Sequence, residues 1–237
     1  MWPKNADGVL SAPVNRTLSE HVAERLREAI LNKQLLPGQR IVERDLAEAM
    51  QTSRGPVRDA LKLLENEGLV VRSAHRGTIV AQMTLEDVEE IYSVREALEL
   101  LALRYAIQRA TPEQVDELAR IVDRMADMAR RDYTQEEATD VDLEFHHALV
   151  TISCHKRVLA LWEELSAQTR LLLLTHRLKH PMDLKDLGVE YHRRVFEAVR
   201  ERDTERAAKE LHKHLRASFD GIVGSVEAIE PKGLIDL

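Results

Sequence analysis

From Thr84 to about residue 228, apolar residues return every three or four positions almost without interruption. No other feature of the chain restricts its fold so much. The period predicts six helices, over about 85–109, 112–131, 136–153, 156–178, 185–201 and 204–228. Thr84, Thr111-Pro112, Thr134 and Asp203-Thr204 supply the side chains that favour a helix start. The connections are short, so helices adjacent in sequence should pack antiparallel as a bundle. Nine Gly and seven Pro in 237 residues, with aromatics at 4%, also suit an aliphatic helical core better than a turn-rich β-sandwich.

The upstream part has a different rhythm. Residues 1–15 show no period and are expected to form a flexible arm. A first helix begins near Leu18, with Ser19 as a candidate cap, and stops at Leu36-Pro37-Gly38. Short helices over 42–50 and 53–67 follow, the latter with Ser53 as N-cap, Pro56 in its first turn and Gly68 as its stop. Then the period shortens. Leu69-Val70-Val71-Arg72 and Thr78-Ile79-Val80-Ala81 read as two strands, with Ser73-Ala74-His75-Arg76-Gly77 as the hairpin tip. The expected fold is mainly α: an N-terminal winged helix-turn-helix over 16–81 and a C-terminal all-α helical bundle over 84–228. A tail at 229–237 completes the chain.

The formal charge of −7 is unevenly shared. Residues 16–80 hold eleven Lys or Arg and nine Asp or Glu, a net of +2, while residues 81–237 come to −9. A polyanion is therefore least repelled by the N-terminal third. The single cysteine, Cys154, allows no intramolecular disulfide and is expected to be buried. No apolar run approaches the ~20 residues of a membrane span, and the first residues lack a signal-peptide core. A cytoplasmic protein without membrane contact is expected.

A recognition helix presents its first residues to base edges, and arginine can bond guanine in bidentate fashion. Here the third helix opens Ser53-Arg54-Gly55-Pro56-Val57-Arg58. Arg54 and Arg58 share a face, opposite an apolar stripe of Val57, Leu61 and Leu64. Arg44 in the preceding helix and Arg76 at the hairpin tip are placed to reach phosphates. Taken alone, two arginines are more readily plain solvent charges, with Arg58 near Asp59 and Lys62.

Eight of the ten histidines follow residue 81. Those on apolar stripes need a partner. Asp142 and His146, at i and i+4, lie near the Phe145-Leu149-Ile152 stripe, whereas His147 falls on the wet side. His192 lies on the Val189-Phe196-Val199 stripe. His212 and His214 flank the Leu211-Leu215-Ser218-Ile222 stripe almost equally, so periodicity does not choose between them. One carboxylate and imidazoles from three helices could hold a divalent ion, zinc first, with nickel, manganese or iron as alternatives. The alternative is ordinary core histidines bonded to their neighbours.

The N-terminal part closely resembles the DNA-binding domain of GntR-type transcription regulators. The resemblance rests on Leu36-Pro37-Gly38-Gln39-Arg40-Ile41, Glu43-Arg44-Asp45-Leu46-Ala47, Ser53-Arg54-Gly55-Pro56-Val57-Arg58-Asp59-Ala60-Leu61, Leu64-Glu65-Asn66-Glu67-Gly68-Leu69-Val70 and Arg76-Gly77. It implies base-edge or backbone roles for Arg44, Arg54 and Arg58, with Ser53 and Gly77 touching the backbone or phosphates. A single wing tip and two or three base contacts would bind weakly, so a homodimer on a palindromic operator in double-stranded DNA is expected. Gly55 stands where the family often has Thr, and Gln51-Thr52 where it usually has Gly-Val.

Residues 84–228 resemble the FCD ligand-binding domain of the FadR-like subfamily, through Ile91-Tyr92-Ser93-Val94-Arg95-Glu96-Ala97-Leu98-Glu99, Asp142-Leu143-Glu144-Phe145-His146, Glu190-Tyr191-His192, Val199-Arg200-Glu201-Arg202-Asp203 and His214-Leu215. Six helices are similar to the VanR-like branch. The resemblance implies a divalent metal held by Asp142, His146, His192 and His214, which decides between His212 and His214. It also implies a small organic acid effector at the ion, with Arg95 as a clamp for its carboxylate. For Arg95 the alternative is a salt bridge to Glu99. Ser153-Cys154-His155 replaces the family's usual Ser-Gly-Asn. His176 and His180 could line the same pocket, without a reason to choose them. The function expected is a metal-containing, effector-controlled transcription regulator that represses. An enzyme is disfavoured, because no glutamate is bracketed by the ligands to act as a base. A constitutive DNA binder with a structural metal is the third reading.

Overall fold

A computed structural model describes residues 17–32, 34–73, 77–179 and 188–227. The expected arm, Arg76, His180 and the expected tail lie outside the described residues. The chain divides between Ala81 and Gln82 into two compact units.

The first unit runs α1 (Leu18–Leu31), β1 (Arg40–Ile41), α2 (Glu43–Ala49), α3 (Arg54–Asn66), β2 (Val70–Ser73) and β3 (Gly77–Val80). Helix α1 starts at Thr17, not Ser19. The Thr17 hydroxyl accepts from the Glu20 amide, and the Glu20 carboxylate accepts from the Thr17 amide. This capping box satisfies two amides at once, which Ser19, already inside the helix, cannot do. Helix α1 packs on α3, whose Val57, Ala60, Leu61 and Leu64 are fully buried. Each large aliphatic side chain there contributes roughly 1.5–3 kcal/mol. The expected hairpin forms with Val71 opposite Ile79. It gains a strand: Arg40 pairs with Ile79 and Ile41 with Thr78, giving the order β1-β3-β2. Gln51 holds the turn between α2 and α3 with φ at 50°. A side chain thus occupies a left-handed position that glycine fills more easily.

The second unit runs α4 (Leu85–Arg109), α5 (Pro112–Met128), α6 (Gln135–Ile152), α7 (Lys156–Lys179), α8 (Val189–Arg200) and α9 (Thr204–Glu227). Capping boxes at Thr84 with Asp87, Thr111 with Gln114 and Thr134 with Glu137 start α4, α5 and α6. Asp203 accepts from the Arg206 amide at the start of α9. The main core joins α4, α5, α6, α8 and α9 through residues such as Leu103, Ile121, Phe145, Val195 and Leu211. Arg202, with φ at 57°, turns back so that its guanidinium donates to the carbonyls of Ile107 and Ala110. Those carbonyls end α4, where no helical amide is left to serve them. Cys154 ends α6 with φ at 53° and is exposed, not buried as expected. A helix end that turns in the left-handed conformation leaves the interior, and its side chain leaves with it.

Candidate metal centre and nucleic-acid interface

Helix α3 opens the first unit to solvent. Ser53 is its N-cap residue by backbone shape, but its hydroxyl caps no amide. Arg54 and Arg58 are exposed on the first turns, and Arg44 is exposed on α2. Arg58 donates to Glu43 Oε2 at 3.2 Å, which ties α3 to α2. Arg44 pairs with its neighbour Asp45 at 3.0 Å. Ion pairs this wet contribute about 0–1 kcal/mol, so little holds these guanidiniums back from another anion. Gly77 opens β3 with φ at 72°, a conformation that a side chain would strain. A Cβ there would also lie 3.8 Å from the Arg40 side chain.

The second unit gathers its polar groups in the dry interior. Asp142 and His146 come from α6, His192 from α8 and His214 from α9. All four are buried, and one ligand atom from each lies within 4.8 Å of the others. His212 is instead exposed and paired with Glu96. His147 is exposed as well, facing Glu163.

The hydrogen bonds say which nitrogen of each ring is free. His146 Nδ1 lies 2.6 Å from Glu99 Oε2, and His192 Nδ1 lies 2.7 Å from the Gly188 carbonyl. Both partners are acceptors, so each Nδ1 carries the hydrogen and, in the neutral ring, each Nε2 keeps a bare lone pair. His192 Nε2 then sits 3.3 Å from Asp142 Oδ1 and makes no hydrogen bond. His146 Nε2 faces His214 Nε2 at 3.0 Å, and His214 Nδ1 has no partner. Burial holds the His214 ring well below its usual pKa, with the neighbouring His192 and His146 adding to the effect. Burial likewise lowers His146. Three imidazoles and a carboxylate thus bring one ligand atom each to within 4.8 Å of the others in a dry setting. The donor set therefore fits a divalent ion with N/O preference.

Sequence reasoning assigned Glu99 no more than a salt bridge, yet it is central here. It is fully buried and accepts from His146, from Arg95 Nε at 2.7 Å and from Trp162 Nε1 at 3.0 Å. Burial alone would raise its carboxyl pKa, but the facing His146 and the Arg95 guanidinium outweigh it and hold the group below the usual range. Arg95 is thus in the salt bridge weighed as its alternative role. One donor, Nη2, remains buried without a hydrogen-bond partner. The side chain of His176 lies outside what is described.

Comparison with known proteins follows the same division. Residues 18–80 match the family described as "Bacterial regulatory proteins, gntR family", and residues 90–217 match the FCD domain. An HTH-type transcriptional regulator in an unstable DNA locus of Streptomyces ambofaciens is 34% identical over 87% of this chain and 86% of its own length. The gluconate operon transcriptional repressor of Bacillus licheniformis is 28% identical over 87% of this chain and 84% of its own. Among solved structures, E. coli McbR/YncC shares the fold with a TM-score of 0.71 at 20% identity, covering 89% of this chain and 99% of that one. These relatives are transcriptional regulators, not enzymes, and no helix among the described residues is long and apolar enough to cross a membrane. The chain belongs to the gntR family of bacterial regulatory proteins: it is a DNA-binding transcription regulator whose second part is an FCD domain.

Proposed function

We propose that this regulator binds its operator under the control of a small carboxylate effector, taken up at a divalent metal ion in the FCD domain. Asp142, His146, His192 and His214 would hold the ion, zinc first by its donor set. The ion would supply open coordination positions for the effector carboxylate, and Arg95 Nη2 is a spare donor for a second oxygen.

One observation carries the reading. Among the described residues, the buried formal charges are Arg95, Glu99 and Asp142, all within this one cluster. They sum to −1. With the histidines counted neutral, a net negative charge in a dry cluster favours a cation among its donors. A divalent ion turns the sum to +1, which in turn favours one anion.

On the DNA side, Arg44, Arg54, Arg58, Ser53, Arg76 and Gly77 form the proposed contact set. Arg54 and Arg58 read base edges, and the rest meet the backbone. A few base contacts per chain bind weakly, so a cytoplasmic homodimer on a palindrome is the proposed form. Repression is the proposed sign of regulation, as in the gluconate operon relative. The effector acts by binding one DNA-affinity state of the protein more tightly than the other.

Removing the metal tests the reading. Dialysis against a chelator should lower the melting temperature and zinc should restore it; ion at 100 times Kd stabilises by about 2.7 kcal/mol. His214→Ala should lose the response. An unchanged melting temperature, with no metal by elemental analysis, would dispose of the centre.

A further inference from the structure

The proposed metal ligands leave Glu99 unused, although it is the most heavily bonded side chain beside them. We propose that Glu99 is the positioning residue of the centre: it locks His146 in the Nδ1–H tautomer, so that Nε2 faces the other donors with a free lone pair. The inference rests on the metal reading above and adds a residue to it.

The two oxygens of Glu99 divide the work. Oε1 accepts from Arg95 Nε at 2.7 Å and from Trp162 Nε1 at 3.0 Å. Both of these side chains can only donate. Oε2 is left for His146 Nδ1 at 2.6 Å. Arg95 reaches Glu99 from one turn earlier in α4, and Trp162 reaches it from α7. The carboxylate is therefore held from two helices before it meets the histidine. His146 has no choice of tautomer, because an acceptor with no hydrogen faces its Nδ1. Among metal-binding histidines, a carboxylate on the far nitrogen orients the ring and makes it a stronger ligand.

A glutamine at this position has no good arrangement. If its oxygen turns to His146, its amide hydrogens confront two donors, Arg95 and Trp162. If the oxygen turns to those donors, its amide nitrogen confronts His146 Nδ1. The ring must then move its hydrogen to Nε2, which can no longer bind an ion. Trp162→Phe is the gentler change: it removes one donor to Oε1 and keeps the charge pair with Arg95.

The test uses the full chain, zinc as probe, and 15N-histidine NMR of the metal-free protein. The parent should show His146 as the Nδ1–H tautomer. Glu99→Gln should shift that signature and weaken zinc binding about 10–100-fold. Trp162→Phe should weaken zinc in the same direction by a smaller factor. A merely structural Glu99 would lower metal-free stability and leave tautomer and zinc affinity alone. Parent-like zinc affinity and tautomer in both variants overturns the inference while the metal centre survives. A parent that binds no zinc overturns both. If Glu99→Gln does not fold, Trp162→Phe decides by zinc affinity: a parent-like value overturns the inference and a weakened one supports it.

Discussion

Arginine stands in opposite settings in the two units. Arg54 and Arg58 open α3 in water, with only a wet ion pair between Arg58 and Glu43. Arg95 is 1% exposed and bonded to a fully buried carboxylate. A charge in water can leave its partner at almost no cost; a charge in the core cannot. The first unit thus keeps its cations available to a polyanion. The second spends one on assembling a site. The contrast explains why net charge hinted at a DNA-facing third while saying nothing of the buried centre.

The sharpest way to break this comparison is to remove one arginine from each side. Arg95→Met removes the one cation paired with Glu99, leaving a buried carboxylate with only the His146 and Trp162 N–H donors, and should destabilise the metal-free protein by about 3–5 kcal/mol. Arg54→Ala should change stability by no more than about 0.5 kcal/mol. Urea unfolding of both variants checks the pair, and equal midpoints would erase the distinction. The same Arg54→Ala should instead lose about 1–3 kcal/mol of base discrimination. A gel-shift titration of operator against scrambled duplex measures it; parent-like discrimination removes Arg54 from base reading. The smallest effect concerns one turn, at Cys154. Cys154→Gly should gain about 0.5–1 kcal/mol, because glycine occupies the left-handed conformation without a Cβ penalty. Thermal unfolding would show it, and a loss would mean that the Cys154 side chain makes a contact worth more than its strain.

What could be read in the sequence was local. The capping boxes at Thr84, Thr111 and Thr134 need only residues three apart, so their threonines stood out as helix starts. The apolar faces of α3, α6 and α9 followed from helical period alone. Strand β1 was not legible, because two residues, Arg40–Ile41, carry no alternation; their pairing with β3 is set by the tertiary fold. Thr17 was passed over for Ser19, although Thr17 has Glu20 at the capping-box spacing and Ser19 has no such partner. In the centre, period brought out Asp142, His146 and His192 but left His212 and His214 level. The structure separates them, burying His214 and leaving His212 beside Glu96 at the surface. Glu99 escaped because its bonds to His146 and Trp162 span 47 and 63 residues. No spacing rule reaches that far. The Arg95–Glu99 pair, four apart, was the one visible trace of it.

The indole of Trp162 is pinned against a carboxylate one bond removed from a proposed ligand. The chain has one other tryptophan, Trp2. With Trp2 replaced by phenylalanine, emission from the remaining ring becomes an optical gauge of the centre. Any change in charge beside Glu99 would register as a colour shift, readable in a cuvette without a label.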